Sequence, residues 1–259
     1  MKFDLETSIS AFPADLLPAG RLITPESGDE PLFWLATDPG HADICAKLRA
    51  EHPRSGLWPL VLHGGYRREF MRPWLDGSVY PTAMYSPGSR DLESLLRRMW
   101  ESHAGFPDDD QPDDVPSSPP WPGLAAPGDA QGSPDHFADR YARTLLDDSA
   151  RLGLVVARRS ADALTAIGWF GPNNYHETAS ISAVVRSWED RFGARVVGLG
   201  LDSLELSVSA PPESSEQALL LAAEHLAICP DNLWNGTESL PSYAKEELLG
   251  EHSWKFWWD

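Results

Sequence analysis

The stretch from residue 105 to residue 134 most constrains how this chain can fold, because it carries eight Pro, six Asp and no Lys or Arg. A segment of this composition buries too little apolar surface to offset the entropy lost on ordering. We therefore expect a linker or a long exposed loop at 105–134. It divides the chain into an N-terminal α/β region, 1–104, and a C-terminal α+β domain, 135–259.

The N-terminal region has the pattern of strand, helix and strand. Apolar runs at 31–38 and 57–65 predict two strands. Between them, apolar positions at helical spacing predict a helix over 41–51. Asp38 is its expected N-cap, and the pair His52–Pro53 is its expected end. This order suggests a βαβ-like unit, or equally a helix packed on an antiparallel pair.

Apolar periodicity and capping residues predict the remaining elements. A helix is expected at 90–102 with Ser89 as its cap, and another begins near Asp135. The following elements are expected in chain order: strand 152–157, helix 160–168, helix 178–192, two strands within 194–209, helix 214–228 and helix 241–249.

Together these elements indicate an α+β fold with a mixed or antiparallel sheet flanked by helices. Two arrangements fit this order of elements. In one, two α/β lobes are joined by the acidic linker. In the other, a single mixed sheet is crossed by 105–134 as a surface loop.

The last residues, SWKFWWD, have the alternation of a strand with one buried face. Trp254, Phe256 and Trp258 share one face and are expected in the core. Lys255 and Trp257 share the other face. Because aromatic residues are enriched at interfaces, Trp257 is a candidate for contact with a partner.

The formal net charge of −18 limits the classes of partner. An acidic surface repels polyanions, so we expect no nucleic-acid binding and no binding to anionic membranes. A basic protein partner is compatible with this charge. Two Cys make a poor disulfide framework, and neither a signal peptide nor an apolar run of about 20 residues is present, so we expect a cytoplasmic protein.

Several dispersed motifs point to a family. They are the RSWEDRFGA run at 186–194, the L-x-L-x-V strand followed by two Pro at 204–212, the helix ending in Cys229 and Pro230, and the closing FWWD at 256–259. With these motifs, residues 151–259 resemble an uncharacterised bacterial family, the domain of unknown function numbered 4253. The resemblance implies a domain boundary and a small bacterial cytosolic protein. It carries over no catalytic residue.

A loop follows the predicted helix at 160–168 and contains Trp169, Asn173, Asn174 and Tyr175. Polar groups beside aromatic rings can bind a small ligand or a peptide. Turn chemistry alone also accounts for the Gly-Pro-Asn-Asn sequence. We take these four residues as candidates for binding a ligand or a partner.

A second candidate group lies around the end of the helix at 214–228. Asp231 and Trp234 follow that helix, and Glu224 and His225 lie within it. Asp231 can cap the next turn or act as an acid or base, and capping is the commoner use of Asp after a helix break. With the 169–175 loop, this group defines an alternative function, a hydrolase-like enzyme of unrecognised type.

A Gly pair follows the predicted strand at 57–65, in the sequence His63, Gly64, Gly65. This is similar to the His-Gly-Gly turn that supplies an oxyanion-hole amide in some esterases. That interpretation needs a Gly-x-Ser-x-Gly nucleophile elbow, and the sequence has none. A turn that ends the strand is therefore favoured.

Two His/Cys pairs, His41 with Cys45 and His225 with Cys229, lie at i, i+4 on predicted helices. Four such ligands could bind zinc tetrahedrally, which gives a second alternative, a zinc-stabilised structural protein. The pairs are far apart in sequence, and free Cys commonly behaves as a small buried hydrophobe. We therefore expect no metal and no other cofactor.

The chain lacks a catalytic motif, is strongly acidic, and has more aromatic residues in its loops than a core requires. These features favour a non-enzymatic cytosolic binding or interaction protein. The expected partner is a basic protein that meets the acidic surface.

Overall fold

The fold is taken from a computed structural model of the chain. The structure describes residues 4–13, 16–26, 28–64, 71–80, 91–103, 120–147, 149–172, 174–234 and 239–259. The predicted cap Ser89 and the candidate Asn173 lie outside these residues.

The described residues form one seven-stranded sheet. In chain order its strands are β1 (Gly20–Ile23), β2 (Phe33–Ala36), β3 (Leu57–Leu62), β4 (Arg151–Val156), β5 (Arg195–Leu199), β6 (Ser203–Ser207) and β7 (Ser253–Trp257). Their order across the sheet is β1-β2-β4-β3-β5-β6-β7. Only β3 and β5 pair in parallel among these strands, and the other neighbours are antiparallel. The expected α+β fold with a mixed sheet flanked by helices is confirmed.

The helices pack on both faces of the sheet. They are α1 (Leu5–Ser10), α2 (Ala42–Ser55), α3 (Arg72–Asp76), α4 (Leu92–His103), α5 (Pro134–Leu145), α6 (Ala163–Ala166), α7 (Thr178–Phe192), α8 (Ser215–Ile228), α9 (Asp231–Trp234) and α10 (Leu240–Tyr243). A 3₁₀ turn, Ser160–Asp162, precedes α6, and a π-helical turn, Ala244–Leu248, continues α10.

The position of β4 joins the two halves of the chain. β4 lies between β2 and β3 and pairs antiparallel with both. β2 and β3 therefore run in the same direction with α2 as their connection, and a strand from the later half is inserted between them. Regions 1–104 and 135–259 thus share a single mixed sheet and do not form two separate lobes.

Side chains alternate between two buried layers, as strands require. Phe33 and Leu60 point to the layer that includes α4, α6, α7 and α8, and we call this side of the sheet the α7 face. Trp34 and Val61 point to the layer that includes α1, α2 and α5, which we call the α5 face. Trp254 and Phe256 in β7, and Trp258 just after it, are buried on the α7 face, so the predicted alternation of the aromatic strand is confirmed.

Side chains replace part of the backbone ladder between β3 and β5. Pro59 in β3 has no N–H to donate, although it lies inside the sheet. Pairing with β5 is limited to the last two residues of β3, beginning at Val61. Before that point, the carbonyl of Val196 accepts from Trp58 Nε1 at 2.9 Å, and its N–H donates to Ser160 Oγ at 2.9 Å. The two strands therefore pair directly only at their carboxyl ends.

The predicted linker or loop is described from residue 120, and residues 120–133, which precede α5, are held against α7 and α8. Ala125 is buried, and its N–H donates to Glu224 Oε1 at 2.8 Å. The N–H of Gly128 donates to the carbonyl of Arg191 at 3.0 Å. These bonds fix the path of the stretch, and the preceding part of the segment lies outside the described residues.

The helix predicted at 41–51 is present as α2, but the residues predicted to begin and end it are wrong. The helix follows His41, which has a left-handed backbone (φ 74°), and it is not capped by Asp38. It continues through Pro53 and ends where Gly56 (φ 69°) donates its N–H to the carbonyl of His52 at 2.8 Å. Proline removes one N–H but its φ suits a helix, whereas glycine readily takes the left-handed conformation that closes the last turn.

Two other predicted helices have a different local geometry. The helix expected at 160–168 is a 3₁₀ turn followed by the four-residue α6. The helix expected at 241–249 is α10 followed by the π-helical turn. In the described part of the chain, no helix is both long enough and apolar enough to span a bilayer.

Candidate functional site

A cleft of about 330 Å³ opens where β3 and β5 end. These two strands run parallel, with Leu62 opposite Leu199, so their carboxyl ends meet at one edge of the sheet. In open sheets with parallel strands, ligands commonly bind outside the carboxyl ends. The residues that follow the strands here are His63 after β3 and Gly200 to Asp202 after β5.

Three tryptophans form much of the cleft wall: Trp74, Trp169 and Trp258. The rings of Trp169 and Trp258 meet edge to face with centroids 5.4 Å apart. Trp74 Nε1 donates to the carbonyl of His63 at 3.0 Å, and Trp169 Nε1 donates to the carbonyl of Gly200 at 2.9 Å. The indoles are thereby anchored to the ends of β3 and β5, so the wall is preformed.

Exposed apolar side chains form the lip of the cleft. Tyr80, Phe170 and Leu201 are 48%, 43% and 40% exposed. They are three of the five large hydrophobic side chains that are exposed among the described residues, and all three line this cleft. Tyr80 and Phe170 contact each other with ring centroids 5.4 Å apart. Grouped apolar exposure of this kind marks binding surfaces.

The cleft is acidic. Asp202 and Asp259 are the charged residues among its described lining, and no basic side chain is among them. Burial raises the pKa of Asp202 above its ordinary value, and the charge of Glu205 adds to that rise. A hydrogen bond from the backbone N–H of Asp202 itself, and then the charges of His63 and Lys255, oppose the rise. Asp202 Oδ1 is buried and has no hydrogen-bond partner within the described part of the chain. An acceptor left open in this way is costly unless a donor or a cation fills it.

A histidine–glutamate pair lies on the α5 face beside this cleft. His63 Nε2 and Glu205 Oε2 are 2.9 Å apart, and Glu205 is 1% exposed. The pair depends on Gly198 in β5, because a Cβ there would lie 2.7 Å from Glu205 Oε2. β5 has an irregular register between Val196 and Gly198, and such bulges often re-aim side chains next to functional sites. Burial, followed by the charge of Glu205, raises the pKa of Tyr141 on α5.

Most of the cleft lies in the last part of the chain. Residues 151–259 match the family described as Domain of unknown function (DUF4253). The resemblance drawn from the sequence motifs is therefore confirmed. Comparison with curated proteins and comparison with solved structures gave no match.

The DUF4253 region does not build the cleft alone. It supplies Trp169, Phe170, Asp202 and other lining residues, whereas Trp74 and Tyr80 precede it in sequence. His63, which contacts both Trp74 and Glu205, also precedes it. The cleft therefore requires the shared sheet that joins the two halves of the chain.

The structure brings two of the predicted loop residues into the cleft, Trp169 and Asn174. Tyr175 lies elsewhere, and its hydroxyl donates to Asp231 Oδ1 at 3.0 Å. Burial, with the hydrogen bond to Asp231 next, raises the pKa of Tyr175 to about 12. The other oxygen of Asp231 accepts from the N–H of Asp259 at 3.0 Å, and Asp231 is 4% exposed. Asp231 therefore anchors the end of β7 and is not presented to a ligand.

Glu224 and His225 are both fully buried in α8. Glu224 is paired with Arg191 of α7, whose two terminal nitrogens donate to it at 2.8 and 2.5 Å, and with Trp188 Nε1 at 2.8 Å. His225 lies among aromatic rings, with Nδ1 3.1 Å from the hydroxyl of Tyr243. Burial, and then the charge of Arg191, holds the pKa of His225 well below its ordinary value.

The two His/Cys pairs lie on opposite sides of the sheet. Cys45 belongs to the buried layer on the α5 face, and His41 immediately precedes α2 on that side. Cys229 belongs to the layer on the α7 face, with His225. The four residues therefore cannot ligate one metal ion. Within the described residues, no group of three or more His, Cys, Asp or Glu side chains is placed to hold one.

Trp257 is partly exposed on β7, as the alternation predicts, and lies at a second cavity away from the cleft. Trp234 is the last residue of α9, and its side chain lies outside the described part of the structure. The sequence patterns did not identify Asp202 or the exposed lip residues of the cleft. They also did not indicate that His63 contacts Trp74 and Glu205. The sequence offered one signal, Glu205, a charged residue between two leucines in a predicted strand.

Proposed function

We propose that this protein is a non-enzymatic binding protein of the bacterial cytoplasm that takes a basic group of a protein partner into the acidic, aromatic cleft. The observation that carries the proposal is Oδ1 of Asp202, which is buried and has no hydrogen-bond partner among the described residues. A lysine or arginine side chain would supply the missing donor together with a compensating positive charge.

The surroundings of Asp202 support a cationic side chain on an apolar stem. The exposed rings of Tyr80 and Phe170 stand at the entrance. Aromatic faces attract cations and also cover the methylene groups of Lys and Arg. The net charge of −18 would raise the rate of encounter with a basic partner.

The free cysteines agree with the proposed compartment. Cys45 and Cys229 are both buried and unbonded to each other. Burial raises the pKa of the Cys45 thiol to about 11, so this thiol is unreactive at neutral pH. Inert buried thiols are the usual state of cysteine in a reducing cytosol.

A titration with single amino-acid derivatives tests the cleft. The probes are N-acetyl-lysine amide, N-acetyl-arginine amide and N-acetyl-norleucine amide, the last of which has an apolar chain and no charge. The indole N–H signals of Trp74 and Trp169, followed by NMR, report the wall of the cleft. We expect both cationic probes to shift these signals more than the neutral probe does.

Two variants distinguish binding at Asp202 in the cleft from an effect of the protein's overall negative charge. Asp202→Asn should weaken binding of the cationic probes about tenfold, the size expected for a hydrogen bond to a charged group. Glu216→Gln removes one charge from the exposed start of α8 and should leave binding unchanged. Equal binding by the two variants, or equal shifts from the norleucine probe, would refute the proposal.

A further inference from the structure

The outer edge of β7 is a second candidate binding surface. β7 is the last strand of the sheet. Just beyond its two ends, the N–H of Trp258 donates to the carbonyl of Asp202 at 2.9 Å, and the carbonyl of His252 accepts from the N–H of Val208 at 2.8 Å. The register therefore makes the even-numbered residues between them the ones that bond to β6. In an antiparallel pair the alternate residues then point their backbone groups away from the partner strand. Ser253, Lys255 and Trp257 therefore direct their N–H and C=O groups outward.

One end of this edge is already closed by side chains. Asn232 Nδ2 donates to the carbonyl of Lys255 at 2.7 Å, and the N–H of Trp257 donates to Asn232 Oδ1 at 3.1 Å. Cys229 Sγ donates to the carbonyl of Trp257 at 2.9 Å. The carboxamide of Asn232 thus takes the place of one residue of a neighbouring strand.

The other end of the edge opens into a groove of about 480 Å³ between β7 and the π-helical turn. Here the outward groups of Ser253 and the N–H of Lys255 have no partner among the described residues. Glu246, Glu247 and Glu251 line the groove and are exposed. None of the three makes an ion pair within the described part of the chain.

We propose that an extended segment of a basic protein adds to β7 at this groove as a short extra strand. Open strand edges bind peptides through main-chain hydrogen bonds, and side-chain pockets supply the specificity. The lining has three glutamates against one lysine, Lys255, so the groove is acidic and fits a segment with Lys or Arg at alternate positions. The partly exposed ring of Trp257 is placed to contact an apolar residue between them. This site is separate from the cleft and does not depend on it.

Backbone hydrogen exchange tests strand addition directly. The probe is the peptide acetyl-Lys-Val-Lys-Val-Lys-amide, added to the full chain. At saturation, exchange of the Ser253 and Lys255 amides should slow at least about tenfold, because hydrogen-bonded amides exchange only after opening. The amide of Trp257 is already bonded to Asn232 and should change little, which makes it an internal control.

A second peptide, N-methylated at both valines, keeps the charge but cannot form the new backbone bonds on that edge. It should bind at least about tenfold more weakly if main-chain bonds carry the affinity. Charge reversal in the double variant Glu246→Lys and Glu247→Lys should weaken the unmethylated peptide about tenfold. Asp202→Asn should leave its binding unchanged, so failure here and failure of the cleft proposal are distinguishable. Equal binding of the two peptides, or unchanged exchange at Ser253 and Lys255, would overturn the proposal.

Discussion

Two carboxylates in this protein, one fully buried and one partly buried, have opposite environments. Glu224, between α7 and α8, accepts from Arg191, Trp188 and the backbone of Ala125. Asp202, at the cleft, has a buried oxygen without a partner among the described residues. A carboxylate with every acceptor filled stabilises the fold, whereas a buried acceptor without a partner needs a separate explanation, which we propose is a ligand. The comparison therefore distinguishes a carboxylate that stabilises the fold, Glu224, from one that we propose binds a ligand, Asp202.

The sequence alone suggests a functional role for Glu224 and none for Asp202. Glu224, His225 and Asp231 are close together in the chain and look like an acid–base group. In the fold each is engaged within the protein. Asp202, which has no notable neighbour in the sequence, lies beside the cleft because two parallel strands end there.

Removing Glu224, the carboxylate whose acceptors are all hydrogen-bonded, should have the largest effect on stability. Glu224→Ala leaves Arg191, whose side chain is 13% exposed, without its counter-charge and frees the segment that contains Ala125. Breaking one partner of a buried ion pair typically costs about 3–5 kcal/mol. We expect a loss of that size in the free energy of unfolding, measured by urea denaturation.

Glu251→Ala is the matched control, because Glu251 is exposed and has no described side-chain partner. It should change the free energy of unfolding by no more than about 0.5 kcal/mol, as is usual for surface sites. If both variants lost the same stability, the network around Glu224 would not be structural.

Acid should destabilise the protein through His225, the other buried group on α8. The folded state holds the pKa of His225 well below 6.5, so below that pH the unfolded chain binds a proton that the folded chain excludes. The free energy of unfolding should therefore fall as pH drops below about 6.5, by at most about 1.4 kcal/mol per pH unit for this one group. Urea denaturation between pH 7 and pH 5 measures this slope.

His225→Phe keeps an aromatic ring between Trp188 and Trp254 and should flatten this slope, even though it removes the bond to Tyr243. His136→Gln, at an exposed position on α5, should leave the slope unchanged. A slope unaffected by His225→Phe would assign the acid sensitivity to other groups.

Neutralising Asp202, the carboxylate with a buried oxygen that lacks a described partner, should have the smallest effect on stability. Asp202→Asn eliminates a charge whose desolvation raises the pKa of the group, and it keeps the shape of the side chain. We expect stability at pH 7 to stay the same or to rise by up to about 1 kcal/mol, since functional sites often carry unfavourable charge. A loss of more than 2 kcal/mol, near the range predicted for Glu224→Ala, would remove the distinction between the two carboxylates.

Much of the fold could be predicted because periodicity records which side chains are buried. The apolar runs at β2, β3 and β4 and the helical spacing in α7 identify these elements directly, and the alternation in β7 assigns Trp254 and Trp257 to opposite faces. The insertion of β4 between β2 and β3 could not be predicted, since strand order depends on pairing between residues about a hundred positions apart in sequence.

Only some residues of the candidate site could be predicted, because the others come together through long-range contacts. Trp169 and Asn174 were found because polar and aromatic residues coincide in one loop. Asp202 and Tyr80 were missed because each lies alone in an unremarkable stretch of sequence, and only their proximity in space makes them a site. The burial of Glu205 could not be predicted, because strand alternation distinguishes two faces without indicating that both are covered by helices.

The sequence by itself determined the classes of element, the buried face of the aromatic strand, the acidity and the resemblance of residues 151–259 to their family. Local spacing and composition suffice for these features. The tertiary structure alone decided that both halves share one sheet and that Glu224 is fully paired while Oδ1 of Asp202 has no partner among the described residues. It also decided that the side chains of Asn232 and Cys229 close one end of the β7 edge. These outcomes depend on long-range contacts, whose partners no local pattern specifies.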